Sequence, residues 1–200
     1  MTLDALLAHP DIARLRHALA RSPGHTVADE PGRKWAAIAL TFRMGDRGDP
    51  ELLMIKRAEH AGDPWSGHVA VPGGRRDAAD ADLAHTAIRE TLEETGIDLA
   101  RVGRVLGTLD DVAPRTPFLP PISIRPFVLA AAGALAVTPS AEVAKSFWVP
   151  LSAIRDERAW GTSSVLVRGS PRDELTFTWH EHVVWGLTHR VLQQLVSLIG

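Results

Sequence analysis

Three glutamates, Glu90, Glu93 and Glu94, fall within five positions of one another in "RETLEETGI". At roughly 100° per residue on a helix, Glu94 lies near 40° and Glu93 near −60° from Glu90, so the carboxylates share one face. Neighbours at i, i+3 and i+4 with like charge repel by a few tenths of a kcal/mol per pair, so a positive partner is expected. Arg89, four residues before Glu93, can hold that one acid, and a hard divalent cation suits the others. Mg²⁺ takes oxygen ligands, usually one or two carboxylates together with water and substrate phosphate. Glu90 and Glu94 are the candidate ligands, with Glu93 assisting. Just upstream, "VPGG" lets backbone approach a ligand closely or lend the Gly74 carbonyl. Loop and helix together point to metal-assisted phosphate chemistry.

The helix that must carry these acids is read from Asp82 to Thr95: good helix formers, Asp80 or Asp82 as N-cap, and Gly96 as the stop. Ile88 and Leu92, on the side opposite the acids, are expected to anchor it in the core. "WAAIALTF" and "ELLMIKR", parted by the turn-like "RMGDRGDP", read as neighbouring strands, as do "RVLGTL", "ISIRPFVLA", "SFWVPL", "SSVLVR" and "LTFTW". "MTLDALLAHPDIARLRHALA" has the spacing of one amphipathic helix, and "VVWGLTHRVLQQLVSLI" reads as a closing apolar helix. The mixture predicts an α/β or α+β sandwich, with residues 1–34 as N-terminal helix and connector and residues 35–200 as the main domain.

"RETLEETGI" resembles the second half of the Nudix box, whose pattern is G, five residues, E, seven residues, then R-E-U-x-E-E-x-G-U with U aliphatic. Arg89, Glu90, Glu93, Glu94, Gly96 and Ile97 match, while Thr91 stands where an aliphatic residue is usual. Gly74 and Arg89 are fifteen positions apart instead of fourteen, and the upstream acid is Asp80 or Asp82. That expansion resembles the coenzyme A pyrophosphatase branch, on whose upstream motif Leu53, Arg57, Ala58, Gly67, Pro72, Gly73 and Gly74 can be laid. Ile55 and Val71 depart from it, and "EHAGDPWS" is one residue longer and holds no arginine.

The resemblance implies a Nudix αβα sandwich with a mixed sheet. It also implies Mg²⁺-dependent hydrolysis, with Mn²⁺ as an alternative metal, of a nucleoside diphosphate linked to another group. Coenzyme A or acyl-CoA is the leading substrate; ADP-ribose or another nucleotide, and a Nudix-fold binding module without turnover, are the alternatives. In several Nudix enzymes the proton acceptor lies outside the box, which makes Glu142 the first candidate for general base and Glu174 the second. A homodimer is a further expectation.

Arg57, Arg75 and Arg76 flank the glycine loop and are candidate phosphate clamps. Trp65 and Phe118, in the two long loops, are candidates for stacking on a base. Asp77 and Asp80 are expected to cap the helix or fix the loop. The histidines form no spaced ligand set, no G-x-S-x-G occurs, and the chain has no cysteine for thiolate chemistry. A net charge of −2 with pI near 6.5 argues against general affinity for nucleic acid. Asp4, His9 and Asp11 interrupt the apolar start, which argues against a signal peptide or membrane span and for a cytoplasmic protein.

Overall fold

The computed structural model of the chain describes residues 2–28, 30, 32–60, 62, 65–114, 122–133, 135–167 and 169–200. Two N-terminal helices, α1 (Leu3–Ala8) and α2 (Pro10–Arg21), precede strands β1 (Lys34–Met44), β2 (Pro50–Arg57), β3 (Val69–Ala70) and β4 (Gly73–Arg75). Helices α3 (Leu83–Thr95) and α4 (Leu99–Val102) follow, then β5 (Gly103–Thr108), β6 (Ile122–Ala131), β7 (Val143–Pro150) and α5 (Leu151–Arg155). A 3-10 turn leads into β8 (Trp160–Val167), β9 (Ser170–Trp179) and β10 (His182–Trp185), and α6 (Gly186–Ile199) closes the chain.

Apolar alternation along β1 feeds two cores, because successive side chains point to opposite faces. Ala37 and Ala39 face a cluster with Leu53, Ala87, Phe127 and Leu129; Leu40 and Phe42 face another with Leu52, Met54 and Val128. The small residues Ala37, Ala39 and Ala87 let α3 pack on the first face. Helices α1, α2 and α6 cover the second through Leu6, Ile12, Leu15, Leu192 and Leu195. The result is the expected helix–sheet–helix sandwich around a mixed sheet. Fully buried aromatics such as Phe42 and Phe177 each contribute about 1.5–3 kcal/mol.

The sheet has the order β3-β2-β1-β6-β5, with β4 added on β1 and β7 on β2. β1 and β6 run parallel from Lys34↔Ile122 to Phe42↔Ala130. β1 and β2 pair only near their turn, from Met44↔Pro50 to Phe42↔Leu52. They then diverge. β4 fills β1's vacated edge from Ile38↔Gly73 to Ala36↔Arg75, and β2 goes on to β7 and β3. The "VPGG" segment enters this splayed wedge. Strands β8, β9 and β10 form a separate antiparallel sheet.

Three local expectations are corrected. The N-terminal helix breaks at Pro10, which lacks an N–H and occupies the first turn of α2 after His9. Val183, Val184 and Trp185 belong to β10 and not to the closing helix, in keeping with their β-branched and aromatic character; α6 starts at Gly186. In α3 the buried side chains are Thr86, Ala87, Thr91, Glu94 and Thr95, whereas Leu92 is 44% exposed and Ile88 only borders the core. Among the described residues, no helix is long and apolar enough to cross a membrane.

Candidate active site

Helix α3 begins and ends as its sequence predicts. Asp82 accepts from His85 N at 2.8 Å as N-cap, and Gly96, at φ 73°, stops the helix with its N–H on Leu92 O. The buried wedge runs through Ala87, Thr91 and Thr95, roughly 60° to 140° from Glu90 at 100° per residue. The three acids are therefore graded by burial as the surface curves away from the sheet. Glu94 lies at the edge of the wedge at 4% exposure, Glu90 is half-buried, and the Glu93 side chain is 56% exposed. Thr91 fits the aliphatic position because its hydroxyl donates to Ala87 O at 2.7 Å; Thr95 does the same to Thr91 O at 2.6 Å.

The glycine pair packs under this acid face. Gly73 has φ 152°, and a Cβ there would collide with the Ala37 carbonyl. Its N–H donates to Glu94 Oε2 at 2.9 Å. A Cβ on Gly74 would meet the Glu90 carboxylate, so any side chain there would displace that acid from its place over the strand. Burial pushes the Glu94 carboxyl up to about 7; the Gly73 bond and Arg57 oppose the rise, while Glu90 and Glu142 add to it. Burial also raises Glu90, against the pull of Arg89 and with further repulsion from Glu93 and Glu142.

Arg89 is saturated by protein. Its Nε and Nη2 fork onto Asp80 at 2.9 and 3.0 Å, Nη1 reaches Glu93 Oε2 at 3.0 Å, and Nη2 also contacts Arg75 O at 3.1 Å and Glu90 Oε1 at 2.9 Å. Asp80, 3% exposed, accepts in addition from Asp77 N and Thr86 Oγ1. The Arg89 hydrogen bonds hold its carboxyl well below the usual carboxylate range despite burial, and Asp80 in turn raises Arg89 further. The upstream acid of the box is thus Asp80, while Asp82 caps the helix. Asp77, accepting from Ala79 N at 2.8 Å, shapes the turn that leads to Asp80; Gly74 and Asp80 keep the five-residue spacing of the box, so the extra residue falls between Asp80 and Arg89.

Three segments meet beside the C-terminal half of α3. Ser140 N donates to Glu94 O at 3.0 Å, and Ala58 N donates to Glu142 O at 2.8 Å, which joins the end of β2 to the segment before β7. Glu142, exposed, is among the charges felt by both Glu90 and Glu94. Glu174 lies in β9 of the separate sheet. The structure therefore gathers Glu90, Glu93, Glu94, Gly74, Arg89, Arg57 and Glu142. Arg75 and Arg76 continue β4 away from the acids and line clefts beside Trp35. Trp65 sits half-buried in the turn before β3, and Phe118 lies outside the described residues.

Two contributors escaped the sequence reading: the Gly73 N–H that holds Glu94, and the Ser140 N–H on the backbone of the same residue. The doubled glycine marks a close approach but does not say which amide donates. Among the described residues, no three acidic or histidine side chains already converge on one point as ion ligands. What stands ready is a pair of carboxylates, one deeply and one partly buried, over the glycine pair that opens β4. That pair suits a cation whose remaining ligands are water and phosphate.

Acids on one helix face, buttressed by an arginine and seated on a glycine pair in β4 inside a helix–sheet–helix sandwich, suit hydrolysis of a phosphate linkage. Residues 32–168 match the NUDIX domain. The chain is 33% identical over 155 residues to the uncharacterized Nudix hydrolase NudL of Photorhabdus laumondii, covering 75% of this chain and 78% of that protein. It is 31% identical over 203 residues to the uncharacterized Nudix hydrolase NudL of Enterobacter sp. (strain 638), covering 100% of this chain and 96% of that protein. A crystal structure of a MutT/nudix family protein from Enterococcus faecalis shares the fold, with a TM-score of 0.56 over 92% of this chain and 67% of that one at 13% identity. The chain belongs to the Nudix family. Its activity class is hydrolysis of phosphoanhydride bonds.

Proposed function

We propose that the chain is a Mg²⁺-dependent Nudix hydrolase that cleaves the diphosphate of coenzyme A or an acyl derivative to 3′,5′-ADP and the corresponding phosphopantetheine. The observation that carries the substrate reading is the fifteen-position spacing from Gly74 to Arg89, with the extra residue between Asp80 and Arg89 and the fork of Arg89 onto Asp80 still made. This is the expansion that resembles the coenzyme A branch.

The donor set fits the metal. Glu94 is buried, and among the described residues its carboxylate accepts one hydrogen bond, from Gly73; burial raises its pKa, and Glu90 and Glu142 add to the rise against the pull of Gly73 and Arg57. Glu90 and Glu94 would hold Mg²⁺, with Glu93 and the Gly74 carbonyl available to assist. When bound, the ion would neutralise charge on the diphosphate oxygens and acidify water. Arg89 is a positioning residue: its bonds to Asp80, Glu90 and Glu93 fix the acid face. Glu142 is the proposed general base. It takes the proton of a water whose oxygen forms the new bond to phosphorus, while the phosphoanhydride bond breaks toward the departing phosphate. Arg57, close enough to counter Glu94, would receive phosphate oxygens.

A second reading, hydrolysis of ADP-ribose or another nucleotide, is favoured by the absence of arginine from residues 58–67, since a ligand with an additional phosphate calls for such a group. Incubation with Mg²⁺ and a panel of coenzyme A, ADP-ribose, NADH, dinucleoside polyphosphates and nucleoside triphosphates decides between them. The expected result is consumption of coenzyme A with release of 3′,5′-ADP. Intact coenzyme A beside turnover of another compound would reject the substrate assignment and leave the hydrolase class standing.

A further inference from the structure

Past Gly74 the chain leaves the acids and runs along the start of β1: Arg75 pairs with Ala36, and Arg76 N donates to Trp35 O at 2.9 Å. Two clefts open there, of about 830 and 390 Å³, sharing Trp35 and Arg76 as walls. Both volumes are in the range that holds small ligands. The larger is edged by Arg33, Lys34, Arg75 and Arg76 together with Glu30 and Asp77; the smaller adds Arg125, Asp82 and the first turn of α3.

The charges here are unequally balanced. Arg33 is engaged by Glu30 at 2.7 Å and Ser123 at 2.9 Å. Arg125 forks onto Asp111 at 2.9 Å through both nitrogens and lies 5.2 Å from the Trp35 ring. Among the described residues, Lys34, Arg75 and Arg76 have no carboxylate partner, and the Arg76 guanidinium has one long bond, 3.4 Å, to Asp80 O. Glu30 is taken by Arg33 and Asp77 lies on the same rim, so among the described residues the three cations beside the indole outnumber the remaining acid and make a locally positive, anion-attracting surface. An extended strand rises about 3.3 Å per residue, so Arg76 begins about 7 Å from Gly74, the span of a few bonds from a diphosphate held at the acid face.

We propose that this cleft receives the nucleoside end of the substrate, the cations of Lys34, Arg75 and Arg76 binding a phosphomonoester that is not cleaved and Trp35 flanking the base. The inference rests on the diphosphate reading above and deepens it. It supplies the cations that residues 58–67 lack, and it makes the extra phosphate a determinant of specificity.

Isothermal titration calorimetry with adenosine 3′,5′-bisphosphate and adenosine 5′-monophosphate tests it, paired with steady-state kinetics on coenzyme A and dephospho-coenzyme A. Wild-type protein is expected to favour the form with the 3′-phosphate by about tenfold or more, the effect of one well-placed charge-assisted contact. Arg75→Ala and Arg76→Ala, both exposed sites, should each reduce that ratio, and the double variant should bring it close to one; Lys34→Ala should reduce it in part. A wild-type ratio near one, or a ratio unchanged in the double variant, overturns the cleft whether or not coenzyme A is cleaved. If coenzyme A is not hydrolysed but the binding preference exists and disappears with Arg75 and Arg76, the cleft stands and the substrate assignment falls.

Discussion

Glu94→Gln removes a charge that the fold holds at a cost. The carboxylate is 4% exposed, accepts a bond from Gly73 N, and is pushed up to about 7 from an ordinary 4.5, chiefly by burial. A carboxyl whose folded pKa exceeds its unfolded value adds stability that is fully present below the unfolded pKa and lost as pH rises through the folded one. The window is therefore pH 4.5 to about 7. At about 1.4 kcal/mol per tenfold, the penalty at pH 8 approaches ~3 kcal/mol. Glutamine keeps the volume and an oxygen for the Gly73 bond, so in metal-free buffer with a chelator the variant should exceed wild type by ~2–3 kcal/mol at pH 8. At pH 4.5 the two should coincide. For a chain of this size that is roughly 5–10 °C in Tm, readable by calorimetry across the pH range. Added Mg²⁺ should raise the Tm of wild type and not of the variant, and the variant should lose Mg²⁺-dependent turnover. A pH-independent Tm difference, or a variant less stable than wild type at pH 8, would refute the claim that Glu94 is a desolvated charge awaiting a cation.

Three further outcomes follow from the same geometry. Asp80→Ala leaves the Arg89 guanidinium without its forked partner and should destabilise by about 3–5 kcal/mol in urea unfolding, with Arg89→Ala comparable; a change under 1 kcal/mol in both would show that the pair does not organise the acid face. Gly74→Ala drives a methyl into the Glu90 carboxylate and should lower kcat at least about a hundredfold, the scale of a small displacement at a catalytic group; unaltered kcat would show that Glu90 can move without consequence. Glu142→Gln should lower kcat by about 10²–10⁴ with little change in KM. Equal loss in Glu174→Gln, which alters the separate sheet, would argue that neither effect reports proton transfer.

How far the site could be read in advance differs between its parts, for a physical reason. The acid face, the cap at Asp82 and the stop at Gly96 depend on helix period and end chemistry, which are local, and each stands where the residues place it. The sandwich follows from strand alternation in β1, β2 and β6, also local. The core face of α3 does not. Judged by apolar side chains, it should contain Ile88 and Leu92, yet the helix buries Ala87, Thr91 and Thr95 instead. The close approach that Ala37, Ala39 and Gly74 permit selects small side chains at the contact. It thereby turns the acid face partly inward. Rotating the buried wedge away from Leu92 and toward Thr91 brings Glu94 to its edge, so the same packing that leaves a leucine 44% exposed buries a carboxylate. Helical spacing alone makes the three glutamates equivalent neighbours; packing against the sheet differentiates them into a buried acid held by Gly73, a half-buried acid against Gly74, and an exposed one tied to Arg89. That gradation depends on contacts between segments far apart in the chain, Gly73 with Glu94 and Glu94 with Ser140, and it gives the crowded acids distinct roles.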